Sequence, residues 1–300
     1  MNIIGIDLGG TNIKGLVINE AGEVILQHQI PTDEKEGTDW KRNVKDMATF
    51  LVNNFDGEIE AAGLSAPGLP NKENTCIEFL PNRLSGAENF HWGDYLGFKT
   101  SVLNDAQAAT MAEKNFGAAQ GIENFVLLTL GTGVGGGIVI NGELYQGAAQ
   151  MAGHMGHFSI NIATDVQSIV GTPGSLEYAV GNYSVAERSN GTYSNTRDLV
   201  KAYESGDPFA SWVWLNSIRT LALAISSLSN VISPEAVVLA GGITLAKDSL
   251  FEPLKAFLNQ YEYRPPTKTL KIIKAEFTDM AGAMGAASFA LEKLKNNGSD

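Results

Sequence analysis

Cysteine is almost absent: the chain has one, Cys76, in 300 residues. A lone cysteine closes no internal disulfide and builds no cysteine-rich zinc site, which fits a reducing compartment and makes the cytoplasm the expected location. Basic charge is scarce as well, with 21 Lys plus Arg against 33 Asp plus Glu and a net charge of -12. Such a surface repels polyanions unless a basic patch is sharply localised, and none is, so no nucleic-acid partner is expected. The longest basic cluster, around Lys268, Lys271 and Lys274, falls in a stretch that reads as strand and is taken as a solvated face. No apolar run reaches membrane-spanning length. The chain opens on the strand-like Asn2-Ile3-Ile4-Gly5-Ile6, not on a basic segment followed by an apolar core. The expectation is a protein neither exported nor embedded, with no membrane partner.

What is present is apolar material for two cores: 44% apolar side chains and 18% charged ones. Residues 2–7 read as a buried strand, Gly9-Gly10 as a turn, and Ile13 to Ile18 as a returning strand, with a third at Val24 to Ile30. A charged helix from about Thr38 to Asn54 and a strand from Ile59 to Ser65 follow, and Ala66-Pro67-Gly68 leads into an irregular stretch through Asn82 to Trp92. The order then starts again: Phe125 to Leu130 as strand, Gly131 to Gly137 as a glycine turn, Ile138 to Ile140 as returning strand. With no short-period repeat, this duplication suggests two related lobes. Asp105 to Phe116, Ser211 to Val231 and the alanine-rich Gly282 to Lys295 read as helices, the last packing back on the first lobe. The expected division is a small lobe 1–103, completed by 282–300, and a large lobe 104–281.

Four segments have the residue types that phosphoryl-transfer chemistry needs. In Asp7-Leu8-Gly9-Gly10-Thr11-Asn12-Ile13-Lys14, glycines let backbone amides approach phosphate oxygens, Thr11 offers a hydroxyl, and Asp7 can hold Mg2+ through water. The bland alternative is a hairpin turn with a solvated aspartate. Leu130-Gly131-Thr132-Gly133-Val134-Gly135-Gly136-Gly137 is a second glycine turn between apolar strands, matching neither the Rossmann pattern nor a P-loop. Val237 to Ala240 runs into Gly241-Gly242, bare backbone on which a purine can lie, although a strand-to-helix turn uses the same residues. In Val102-Leu103-Asn104-Asp105-Ala106 a strand meets a helix, so Asn104 or Asp105 can be an N-cap; a carboxylate there can also take the proton of an attacking hydroxyl.

Taken together and in this order, Asp7 to Lys14, Asn104-Asp105, Leu130 to Gly137 and Ala240-Gly241-Gly242 resemble the ROK family of bacterial sugar kinases and repressors. The resemblance implies an α/β, two-lobed actin-like ATPase fold of the ribonuclease H-like kind, each lobe a mixed sheet with helices on both faces. It further implies ATP and Mg2+ in the cleft, Asp105 as general base, and a homodimer or larger homo-oligomer. Nucleotide contacts would come from Asp7, Gly9, Gly10, Thr11, Asn12, Lys14, Gly131, Thr132, Gly133, Gly135, Gly241 and Gly242. Pro67, Gly68, Asn82, Asn104, Asp105, His154, His157 and Glu177 resemble the positions that surround the sugar, and such groups suit a polyol. The alternatives of His157 as a structural polar residue and Glu177 as a helix-face charge remain open beside these.

Two departures from the family pattern stand out. His154 occupies a position where the family commonly has Glu, which bears on substrate identity. The family's one-His, three-Cys zinc cluster keeps only His157, with Ser168, Val170 and Ser175 where thiolates would be, so no zinc is expected. The implied activity is a glucokinase-like transfer of the ATP γ-phosphate to a hexose, at the 6-hydroxyl. The alternative is a non-catalytic sugar- or nucleotide-binding protein or regulator. A DNA-binding repressor is not expected, because the first strand begins at Asn2 and leaves no room for a preceding helix-turn-helix.

Overall fold

The computed structural model describes residues 1–32, 40–81, 83–161, 165–265 and 267–297. Contacts divide the chain into two compact units, Met1–Gly121 with Leu144–Ala152 and Glu276–Asp300, and Ile122–Glu143 with Gly153–Ala275.

In the first unit, β1 (Asn2–Leu8), β2 (Asn12–Asn19) and β3 (Val24–Pro31) form an antiparallel meander, joined by β4 (Ala61–Ala66) and β7 (Thr100–Asn104) in the order β3-β2-β1-β4-β7. β4 pairs parallel with β1, and β7 parallel with β4. Helix α1 (Trp40–Asn54) covers one face with Val44, Met47 and Leu51 against Ile4, Ile6, Ile13 and Val17. The strands β5 (Leu69–Pro70) and β6 (Ile77–Phe79) form a small separate ribbon, and α2 (Trp92–Leu96) ends the stretch expected to be irregular. The opposite face receives α3 (Asp105–Phe116) and the C-terminal helix, Ala281–Asn297, with Ala283, Ala287 and Leu291 against Ile3, Leu16 and Ile18. Side chains as small as alanine let backbones touch. A Cβ on Gly5 or Gly63 would overlap the carbonyl of Ala283 or Ala286, and one on Gly285 would overlap that of Ala108. This helix-to-helix seam puts α3 in the first unit, so the division falls after Gly121 and not near residue 103.

The second unit repeats the plan. β8 (Phe125–Leu130) and β9 (Val134–Ile140) form the hairpin, β10 (Glu143–Leu144) lies at the edge, and β11 (Ala236–Ala240) and β12 (Lys271–Lys274) add in parallel, giving β10-β9-β8-β11-β12. β8 and β11 are buried nearly throughout, as expected for parallel strands at the centre of a sheet. Between the strands lie α4 (Leu176–Val180), α5 (Val185–Arg188), α6 (Thr196–Glu204), α7 (Pro208–Ile232) and α8 (Asp248–Tyr261). α7 starts earlier than its apolar periodicity suggests because Asp207 accepts from the Ala210 N–H at 2.7 Å and Pro208 occupies the first turn. Lys271 and Lys274 lie exposed at the two ends of edge strand β12.

A second expectation changes. The glycine turn is only Gly131 to Gly133, because β9 begins at Val134 and carries Gly135 to Gly137 within the ladder. At Gly136 the reason is packing, since a Cβ there would overlap the Met155 side chain and the Leu127 carbonyl.

Candidate active site

The β1–β2 hairpin sets Asp7 directly across from Lys14 in the antiparallel register. Ser65, at the end of β4, donates its hydroxyl to Asp7 Oδ1 at 2.7 Å. Burial pushes the Asp7 carboxyl up to about 6; the Asp105 carboxylate adds to the rise, while the Ser65 hydroxyl and the Lys14 ammonium oppose it. Lys14 Nζ donates to the Asp279 carbonyl at 2.8 Å and lies 3.2 Å from its carboxylate. Gly282 abuts Asp7 so closely that a Cβ would overlap the carboxylate. The turn itself is held by Thr32, whose hydroxyl donates to the Gly9 carbonyl at 2.7 Å and whose N–H donates to Thr11 at 2.8 Å. Gly10 and Thr11 are left exposed at its tip.

The two readings of Asn104-Asp105 separate here. Asn104 is the N-cap of α3: its Oδ1 accepts from the Ala106 N–H at 3.0 Å, and its Nδ2 donates to the Gly68 carbonyl at 3.0 Å. Asp105 is therefore the first helical residue, exposed, with Oδ1 accepting from Ala106 N–H at 2.8 Å. Gly68, in the loop after β4, has a left-handed φ of +99° that disfavours any side chain. Thus Asp7, Ser65, Lys14, Asn104, Asp105, Pro67 and Gly68 all belong to the first unit. Asn82 lies outside the described residues.

In the second unit, the β8–β9 turn is fixed from behind. Asn182 N–H donates to the Gly131 carbonyl at 3.0 Å and Tyr183 N–H to that of Thr132 at 3.1 Å. Glu177 is buried, accepts from Val134 N–H at 3.2 Å through Oε2, and occupies the space a Cβ on Gly133 would need. Gly241 has φ +90° and presses on the backbone of Leu130, while Cβ atoms at Gly131 and Gly242 would meet nothing within 4 Å. Those two open glycines border a cavity of about 690 Å³ that Thr132, Asn182, Lys201 and Leu245 also line. Its size suits a small-molecule ligand such as a nucleotide. Sequence reading missed α6 and Asn182 as walls of this cavity. The usable signal was Asn195 three residues before Asp198, and Asn195 does cap α6 by accepting from Asp198 N–H at 2.9 Å.

The segment Gly153 to His157 packs on β9, with Gly153 against Gly136 and Gly156 against Val134. His154 and His157 present nearly parallel rings with centroids 6.2 Å apart. His157 Nδ1 and Glu177 Oε1 are buried atoms with no hydrogen-bond partner among the described residues. Buried polar groups are normally satisfied, so two orphans in neighbouring motifs point to a polar ligand. Where the family's cysteines would stand, Ser175 caps α4 by accepting from Tyr178 N–H at 3.1 Å, Ser168 closes a turn with Thr172, and Val170 is exposed. Among the described residues no three His, Cys, Asp or Glu gather as a metal site, and no helix is long and apolar enough to cross a membrane.

The model of the ROK family matches residues 3–293. A glucokinase of Thermotoga maritima is 30% identical, the match covering 98% of this chain and 98% of that protein. The N-acetylmannosamine kinase of Escherichia coli is 28% identical over 98% of this chain and 100% of its own. The crystal structure of a ROK hexokinase from Thermus thermophilus matches with a TM-score of 0.84 at 28% identity, covering 99% of this chain and 100% of that one. The fold is the α/β, actin-like ATPase architecture that the motifs imply.

Proposed function

The chain belongs to the ROK family, and from that membership we propose that it is an ATP-dependent, glucokinase-like sugar kinase acting on the 6-hydroxyl of a hexose. The observation that carries the reading is at the start of α3: Asn104 does the capping, so Asp105 is presented as an exposed carboxylate whose charge is felt at Asp7. The assigned step is in-line transfer. The sugar oxygen attacks the γ-phosphorus, its proton passes to Asp105, and the bond to the β-phosphate oxygen breaks to release ADP.

The remaining residues bind and orient. Gly131 and Gly242 have the room to place backbone against a nucleotide, and the adjoining cavity accepts its base. Gly9 closes the first turn by donating its N–H to the Asn12 carbonyl at 3.2 Å, and Gly10, Thr11 and Asn12 offer N–H and hydroxyl donors there, with Lys14 behind them. Asp7 is mostly ionised at neutral pH, because its pKa of about 6 lies below 7, and is suited to hold Mg2+ through water. When bound, Mg2+ neutralises the charge of the triphosphate. Pro67, Gly68, Asn82, Asn104, His154, His157 and Glu177 are assigned to the sugar. The orphaned His157 Nδ1 and Glu177 Oε1 support this, since hydroxyls can both donate and accept. No residue set is assigned to zinc. A homodimer in the cytoplasm completes the proposal, the latter supported by the single buried Cys76.

Initial rates of ADP release with aldohexoses, ketohexoses, acetamido sugars and cyclitols, with NMR of the product, test it. The expected product is a hexose 6-phosphate. ATP binding without turnover on any sugar would favour the binding-protein reading.

A further inference from the structure

Glu113 is buried to 1% exposure and is the one carboxylate among the buried residues of α3, beside Ala109 and Ala112. A carboxylate in such a place is costly unless hydrogen bonds surround it. It has three, all from backbone N–H groups that belong to no helix or strand. Oε2 accepts from Ala118 at 2.8 Å and Glu276 at 3.1 Å, and Oε1 accepts from Phe277 at 2.7 Å. Ala118 lies just before the chain first leaves the first unit after Gly121, and Glu276 is where it returns for the last time. The Glu113 carbonyl also accepts from Gly117 and Ala119 N–H, and a Cβ on Gly117 would overlap the carboxylate. The side chain is therefore closely packed against Gly117, and three backbone donors depend on it.

The returning segment continues from this anchor to the β1–β2 hairpin. Phe277 and Met280 pack into the core beneath β1 and β2. Asp279 then holds Lys14 through both its carbonyl and its carboxylate, and Gly282 lies against Asp7. We propose that Glu113 is a positioning residue for the Asp7–Lys14 end of the site, acting through residues 276–282. This rests on the assignment of Asp7 and Lys14 to the Mg2+-bound nucleotide. A glutamine at 113 keeps the shape but turns an NH2 group toward backbone N–H donors, so it releases one attachment of the strap without opening a cavity.

The test compares wild type, Glu113→Gln and Lys114→Met. The last breaks the Lys114–Glu292 contact between α3 and the C-terminal helix, and so controls for loss of stability alone. For Glu113→Gln we expect the KM for ATP and the half-saturating Mg2+ concentration to rise about tenfold, with the sugar KM within about twofold of wild type. Lys114→Met should lower Tm and leave these constants unchanged. Equal ATP and Mg2+ constants in wild type and Glu113→Gln would overturn the inference. If wild type binds ATP but turns over no sugar, the kinase reading fails separately and Mg2+-dependent ATP affinity becomes the readout. Should Glu113→Gln not fold, amide exchange in wild type decides: the Glu276 and Phe277 protons exchanging as fast as exposed loop amides would sink the inference.

Discussion

The β1–β2 and β8–β9 hairpins occupy the same place in sheets of the same strand order, yet they are built from opposite materials. The first surrounds its turn with charge: Asp7 with a raised pKa, Lys14 and Asp279, with Thr32 steadying the backbone. The second has no charged side chain in the turn. Its carbonyls are tied down by Asn182 and Tyr183, a buried Glu177 holds Val134 from behind, and open glycines face a cavity. The contrast teaches that duplicated topology fixes where a turn appears, while its neighbours decide what it can bind. One turn suits a hydrated cation and the charge around it, the other bare backbone against a phosphate or a flat ring.

Breaking the second turn should have the larger effect. Gly133→Ala places a Cβ on the Glu177 carboxylate and shifts the turn, so kcat/KM for ATP should fall about a hundredfold, whereas Gly131→Ala, with open space around it, should be far milder. Steady-state kinetics in varied ATP decide this, and equal losses would erase the distinction between packed and open glycines. Replacing each of the two carboxylates by an amide comes next. Asp7→Asn should raise the half-saturating Mg2+ concentration about tenfold, while Glu177→Gln should leave it unchanged and raise the sugar KM. The reverse pattern would mean the two hairpins have been assigned the wrong way round.

Stability sharpens the comparison further. The Asp7 pKa is raised from 3.8 to about 6, so the folded protein binds that proton more tightly than the unfolded chain. Stability from this group is present in full below the unfolded value and is lost as pH rises through the folded one. Asp7→Asn removes that loss, and denaturant unfolding should show it more stable by about 3 kcal/mol at pH 7.5, with no gain below pH 3.8. A pH-independent difference would locate the cost elsewhere. The smallest effect should be Asp279→Asn, which weakens a pair with one highly exposed partner by less than about 1 kcal/mol, read as a slight fall in Tm that salt diminishes.

Much of this was legible in the sequence because it depends on local pattern. Apolar runs broken by glycine marked both hairpins, and Asn104-Asp105 before an alanine-rich segment marked α3, whose limits match the expectation. What could not be read was set by packing. Whether Gly135 to Gly137 belong to a turn or a strand depends on Met155 and Gly153, which are distant in sequence. The polar helix α6 resembles a solvated surface until it is seen lining the cavity. Glu177 could be read as a sugar ligand, but its bond to Val134 N–H exists only once α4 lies behind β9. Glu113 left one trace, a charge continuing the buried stripe of Ala106, Ala109 and Thr110, and its three donors come from loops at both ends of the unit.

The most direct test is hexose-dependent ADP release by wild type and Asp105→Asn, with ATP affinity measured on both. The substitution is expected to lower kcat about a thousandfold and to leave ATP affinity within a few-fold of wild type. Turnover by Asp105→Asn at the wild-type rate would contradict it.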